Sequence, residues 1–322
     1  MFRQDRANPS TAVSTWKGRK DLAKANPSTA VSAWLNGGLA SQPNVVATGG
    51  TITDYSGYRS HTFTSSGTFE ITANPEVIDM DILLVGGGGR GGIDSGGSPS
   101  VNSGGGAGCL TTYTREGTIR SYVVTIAAAA GVSSMTNGGS GTNTLYAGNG
   151  GTGTHFTGNA GNASYGGSGA GGGMYYSGGW YKGNAGAATT GSSTPDGVQW
   201  TASGGVAYGW TASGAGGGSD TSGSAGSASA GGVGGAGTGY TYKDGTTDYY
   251  AGGGGGSGGI SGTTRGAGGT GGGGAGMDFD ESGSATAGTA NTGGGGGAAS
   301  TANTSGGALG GSGVCIIRYV YN

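Results

Sequence analysis

Chemistry needs side chains that can hold a proton, a metal or a phosphate, and this sequence offers few of them. Its two histidines, His61 and His155, lie far apart, and neither has a cysteine at metal-ligand spacing. Two cysteines, Cys109 and Cys315, build no disulfide framework. A nucleophilic Cys109 would need a histidine base steered by a third group, which no local pattern supplies, so both thiols read as small apolar residues in a sheet. Asp278-Phe279-Asp280-Glu281 gathers three carboxylates that could hold a hard cation such as calcium, against the plainer reading of a solvated acidic loop. After the apolar run Ile82–Val85, residues 86–91 satisfy the G-x-G-x-x-G dinucleotide fingerprint. That motif needs a helix whose N-terminus faces the pyrophosphate, and Ile93-Asp-Ser-Gly-Gly-Ser-Pro99 is no helix former. No Gly-Lys-Ser/Thr phosphate loop exists either. The expectation is a protein that is not an enzyme, takes no cofactor or metal, and binds no nucleic acid.

What remains is recognition. Eleven aromatics crowd residues 174–250, and besides Tyr208 they are Tyr175, Tyr176, Trp180, Tyr181, Trp200, Trp210, Tyr240, Tyr242, Tyr249 and Tyr250, set among Gly, Ser and Thr. Such stretches resemble antibody loops in composition: Tyr and Trp supply rigid contact area, and small polar residues supply adaptable hydrogen bonds. Trp200 and Trp210 each open the same Trp-Thr-Ala-Ser-Gly phrase, which suggests two similar turns. These ten rings are the candidate receptor-binding residues. The competing reading makes them a private hydrophobic seal.

A second candidate site is written twice at the start. Residues 7–16 read ANPSTAVSTW and residues 25–34 read ANPSTAVSAW, identical at nine of ten positions. Asn8 and Asn26 can cap a helix whose first residue is Pro9 or Pro27, and each short helical segment then presents Val13 with Trp16, or Val31 with Trp34. Gly18 and Pro27 break any continuous helix between them. Residues 1–36 carry six cations against Asp5 and Asp21, while the whole chain is at −2, so a basic arm sits on an acidic body. These eight residues are the candidate anchors, matched to two equivalent sites on a partner; a self-contained helical hairpin is the alternative.

Both candidate sites need a scaffold, and the composition is unusual for one. Glycine fills 86 of 322 positions, several times the ~7% of ordinary domains. Disordered chains of this kind usually lack aromatics and carry high net charge, whereas this one holds 16 Tyr, 5 Trp and 5 Phe. Collagen fails for want of a Gly-X-Y register. An ordered, mainly β fold is therefore expected. Residues 61–71 alternate around Ser65-Ser66-Gly67 and predict a hairpin; Val77–Val85 predicts a strand; Leu110–Ile126 predicts a second hairpin around Arg115-Glu116-Gly117. No strand of comparable hydrophobicity follows until Val314–Tyr321, so the chain must leave a small β-sandwich, travel through glycine, and return to close the sheet. Within residues 252–276, 16 of 25 are glycine. Such runs suit the three-residue extended helix, which has no internal hydrogen bonds, so buried copies must exchange backbone bonds with neighbours. The predicted organisation is an arm over 1–45, a sandwich over 46–130 plus 312–322, and a glycine-rich excursion over 131–311, a polyglycine II-type helix bundle with aromatic loops.

The strands Gly67-Thr-Phe-Glu-Ile71, Asp81-Ile-Leu-Leu-Val-Gly-Gly-Gly-Gly89, Gly104-Gly-Gly-Ala-Gly108 and Gly311-Ser-Gly-Val-Cys-Ile-Ile-Arg-Tyr319 carry a resemblance over residues 60–322. They resemble the glycine-rich domains of bacteriophage tail and fibre proteins, and the glycine-rich body is similar to the tip adhesins of T-even-like phages. In those adhesins polyglycine helices carry variable receptor-binding loops; here a basic repeated arm stands in place of their attachment domain, and the glycine runs are shorter. The resemblance implies a virion fibre protein, anchored to other tail or capsid proteins through residues 1–40 and binding a host surface protein or glycan. A head fibre or decoration protein and a secreted glycine-rich matrix protein are the other readings, and a homotrimer is among the assemblies left open. No apolar run reaches the ~18 residues of a membrane span, and no signal peptide is visible, so release by lysis is the expected route to a virion.

Overall fold

The computed structural model describes residues 45–75, 77–93, 100–137, 144–153, 167–176, 180–188, 198–208, 211–279, 284–300 and 306–321. The strands in chain order are β1 (Val46–Thr48), β2 (Thr51–Tyr55), β3 (Tyr58–Phe63), β4 (Gly67–Ala73), β5 (Asp79–Val85), β6 (Ser100–Val101), β7 (Leu110–Glu116) and β8 (Arg120–Thr125). They continue with β9 (Ser133–Asn137), β10 (Leu145–Ala147), β11 (Met174–Tyr176), β12 (Trp180–Lys182), β13 (Val198–Trp200), β14 (Thr238–Tyr240), β15 (Asp248–Tyr250) and β16 (Val314–Val320). The fold is mainly β, with no helix among the described residues.

Two antiparallel sheets face each other. One runs β1-β4-β8-β9-β10 and the other β13-β7-β5-β16-β3-β2. The period-two strand β4 buries Phe69 and Ile71 and leaves Thr68 and Glu70 outside, and β8 does the same with Tyr122 and Val124. These meet Phe63, Met80, Ile82, Leu84, Ile317 and Tyr319 from the second sheet in one core. Full burial of each such side chain contributes about 1.5–3 kcal/mol.

Both predicted hairpins are corners instead. β3 pairs with β2 and β16 while β4 pairs with β1 and β8, so the chain crosses between sheets at Thr64–Ser66. Likewise β7 pairs with β5 and β13 while β8 pairs with β4 and β9. The reason lies in the core: crossing lets His61 and Phe69 meet edge to face across the interior at 4.9 Å, where a hairpin would leave them on one sheet. At the second corner the Gly117 amide donates to the Ile78 carbonyl at 2.8 Å, and a Cβ there would lie 3.2 Å from Ile71 Cδ1.

The C-terminal strand enters the middle of its sheet. Ile317 stands between His61 of β3 and Ile82 of β5, and the register holds from Cys315 to Arg318 on both sides. Strands β5 and β16 lack alternation because both of their faces are buried. One face joins the sandwich core; the other places Leu83, Val85, Leu110, Val314 and Ile316 under Ala107, Tyr250 and Ala251, with Tyr240 and Tyr242 packed alongside. The first sheet also continues past residue 130 into β9 and β10, and β13 adds an edge to the second.

Glycine-rich segments run beside the sandwich and exchange backbone hydrogen bonds in steps of three residues. Gly86, Gly89 and Gly92 donate to Cys109, Gly106 and Ser103 at 2.9, 2.8 and 2.8 Å, an antiparallel pair. Gly150 and Gly153 donate to Gly87 and Arg90, and Gly296 and Ala299 donate to Gly89 and Gly92, two parallel pairs. The network therefore begins at residue 86, well before residue 131, and glycines 86–92 and 104–108 belong to it. Side chains are excluded by distance: a Cβ on Gly254 would lie 2.1 Å from the Gly296 carbonyl oxygen.

Candidate functional site

Sequence-predicted site residues fall into four groups. Asn8, Pro9, Val13, Trp16, Asn26, Pro27, Val31, Trp34 and Trp210 lie outside the described residues, as do His155, Asp280 and Glu281. Tyr175, Tyr176, Trp180 and Tyr181 come together on the backbone of β11 and β12, where Tyr175 pairs with Tyr181 and Tyr176 with Trp180. Trp200 stands apart from them, on edge strand β13 opposite Leu110.

Tyr240, Tyr242, Tyr249 and Tyr250 occupy one hairpin, β14–β15, with Tyr240 opposite Asp248 and Tyr249 opposite Gly239. Three of the four serve the core. Tyr250 is buried, and its desolvated hydroxyl titrates well above the ordinary tyrosine range. Tyr240 and Tyr242 meet edge to face at 5.3 Å, and burial raises the Tyr242 pKa as well. Arg318 lies 3.8 Å over the Tyr242 ring and reaches Asp81 at 3.1 Å. The Tyr55 hydroxyl donates to the Tyr242 carbonyl at 2.6 Å, and Ser60 Oγ donates to the Lys243 carbonyl at 2.5 Å. The hairpin is thus pinned to β2, β3 and β16. Tyr249 differs from its three companions in being 50% exposed.

Beside Tyr249 the hairpin edge, the end of β3 and the turn at Ala290–Thr292 enclose a groove of about 290 Å³. Thr62, Lys243, Asp248, Asn291 and Thr292 line it with Tyr249. Lys243 Nζ donates to Asp248 Oδ2 at 2.9 Å and lies 3.9 Å from Asp244, and the hydrogen bond to Asp248 raises the lysine pKa. Asn291 adopts φ +62°, a conformation Asn tolerates better than most residues, and its amide and Oδ1 both bond Ser312 Oγ. Thr62 Oγ1 is buried without a hydrogen-bond partner among the described residues. Thr62, Asn291 and Thr292 carried no signal in the sequence, since small polar residues fill the background there. The array offers donors and acceptors around a half-exposed ring; it holds no nucleophile activated by a base.

Other chemistry-bearing residues have structural partners. His61 is fully buried; its Nδ1 donates to the Gly49 carbonyl at 2.7 Å, so Nε2 accepts from the Tyr319 hydroxyl at 3.0 Å. Burial pushes the Cys109 thiol up to about 11 and the Cys315 thiol up to about 12, so neither is a thiolate at neutral pH. Asp278 accepts from the Arg265 amide and pairs with its guanidinium at 3.8 Å. The amides of Gly86, Gly88, Gly89 and Gly91, which a pyrophosphate would need, donate instead to Cys109, Gly311, Gly106 and Ala308.

No helix among the described residues is long and apolar enough to cross a membrane. Comparison with curated proteins finds no match. Residues 64–320, from the corner after β3 to the end of β16, match the family model of the glycine-rich domain, and the chain belongs to that family.

Proposed function

We propose that this protein is a bacteriophage virion fibre protein, a tail fibre or tip adhesin, held on the particle by residues 1–40 and binding a host cell-surface receptor. The observation that carries the reading is the three-residue period of the backbone hydrogen bonds among glycine-rich segments. That period matches side-by-side polyglycine II helices, the rigid body on which the resembling adhesins carry their loops. Tyrosine-rich hairpins then emerge from a preorganised scaffold, which lowers the ordering cost of binding. Among them β11–β12 and Tyr249 are the leading receptor contacts.

A second reading, a head fibre or decoration protein, is favoured by one observation: Tyr240, Tyr242 and Tyr250 pack on the second core rather than outward. Adsorption separates the two. Purified protein added in excess should compete with the particle for host cells, and replacing Tyr175 with Tyr176, or Trp180 with Tyr181, by Ala should weaken that competition at least ~30-fold. Competition unchanged by either pair, with a lowered melting temperature, would support sealing and the decoration role.

A further inference from the structure

We propose that the groove beside Tyr249 is a saccharide subsite that takes one sugar ring of a surface glycan. The inference rests on the receptor-binding reading and names its receptor chemistry. A pyranose has an apolar C–H face and a rim of hydroxyls that each donate and accept. The groove presents the complement: the half-exposed Tyr249 ring on one side, and on the others the Lys243 ammonium, the Asp248 carboxylate and the Thr62 hydroxyl.

Other ligand classes fit this lining less well. A phosphate or carboxylate would meet Asp248 and the nearby Asp244, and the one ammonium is already spent on them at 2.9 and 3.9 Å. A hard cation would find one carboxylate in the lining, and that carboxylate already bears an ammonium. An apolar ligand would take the Lys243 and Asp248 charges out of water without offering either a hydrogen bond, which is costly. At about 290 Å³ the groove sits near the lower end of the ~300–1,000 Å³ of small-molecule sites, a size for one ring rather than a peptide segment.

Thr62 gives the strongest pointer. It sits in β3 opposite Thr51 and Ile316, where Val would serve the strand equally well. The fold makes no use of its hydroxyl: the oxygen is buried without a partner among the described residues, and Thr62 is one of the residues lining the groove. The surroundings are preorganised: Ser312 pins Asn291, and Tyr55 and Ser60 pin the hairpin that carries Lys243 and Asp248.

Saturation-transfer NMR on the full chain tests this, with glucose, galactose, mannose, rhamnose and N-acetylglucosamine as probes and glycerol and methyl phosphate as controls. At least one pyranose should receive saturation while neither control does. Thr62→Val and Tyr249→Ala should each weaken it at least about fivefold, with Thr62→Val melting no lower than the parent. Saturation of methyl phosphate in place of sugar, saturation of no pyranose, or sugar binding that neither substitution changes, would overturn the proposal. Adsorption to host cells before and after periodate oxidation of their glycans separates the two readings. Adsorption that survives both periodate and the two substitutions sinks the saccharide inference and leaves the receptor reading standing. No adsorption to any host cell sinks the receptor reading, while NMR still decides the subsite.

Discussion

His61 is held on both ring nitrogens and has no contact with water, and burial lowers its pKa below the ordinary 6.5. The consequence for stability has a definite sign. Above about pH 6.5 both folded and unfolded chains keep the ring neutral, and the stability is complete. Below it the unfolded chain takes a proton that the folded chain refuses, so stability falls as pH drops toward the lowered folded value, by at most about 1.4 kcal/mol per pH unit. Melting curves between about pH 7.5 and about pH 5 should show this slope, and His61→Gln should flatten it. An unchanged slope in the variant would assign the acid sensitivity to other groups. The sequence marked His61 as a residue able to do chemistry; only the meeting of β3 with β16, 258 residues apart, makes it a core residue.

At the scale of elements, legibility followed the burial pattern. β5 and β16 were readable because a continuous apolar run such as Ile82-Leu-Leu-Val85 needs cover on both faces, which only the middle of a covered sheet supplies. The corners at Thr64–Ser66 and Gly117–Ile119 were not readable, since a period-two strand looks the same whether its successor pairs with it or crosses to the facing sheet. β9 and β10 escaped because Ser133-Ser-Met-Thr-Asn137 buries only Ser133 and Met135. In the candidate site Tyr249 was visible as an aromatic, whereas Thr62 acquires meaning only from the hairpin laid over it. One experiment checks the central placement of β16. Deleting residues 312–322 removes the strand between β3 and β5, strips cover from both cores and leaves two raw edges. The truncated protein should fail to fold in soluble form. A preserved circular-dichroism spectrum and melting transition would show that β16 is dispensable.

At the scale of the whole molecule, the glycine-rich segments are held to one another by backbone groups. The amides of Gly253, Gly254, Gly255 and Gly256 donate to Gly235, Gly105, Gly274 and Gly232, and so to three different stretches of chain, with Gly253 and Gly256 facing the same one. Each such segment is fixed only when its neighbours are, so residues 252–276 should exchange amide hydrogens slowly despite their composition. Gly254→Ala should cost about 1–3 kcal/mol, because its Cβ would drive into the Gly296 carbonyl and neither backbone can retreat alone. Fast exchange throughout 252–276, or an unchanged melting temperature for the variant, would remove the proposed scaffold. A body so fixed can transmit position but has little freedom to seek its own docking site, and that task falls to the proposed arm, which lies outside the described residues. On the proposed virion reading, shells and tails repeat their subunits by symmetry, which would give a reason for writing ANPSTAVS twice: Val13 with Trp16 would enter one groove and Val31 with Trp34 the next, with the basic segment Lys17–Lys24 between them. Tethering sets the second site's effective concentration at roughly millimolar, so avidity exceeds single-site affinity by about 100-fold or more. Trp16→Ala or Trp34→Ala alone should then leave weakened attachment measurable on purified particles, and the double substitution should strip the protein off. Complete release by either single change, or retention after both, would show that the two copies are not equivalent anchors and favour a self-contained hairpin.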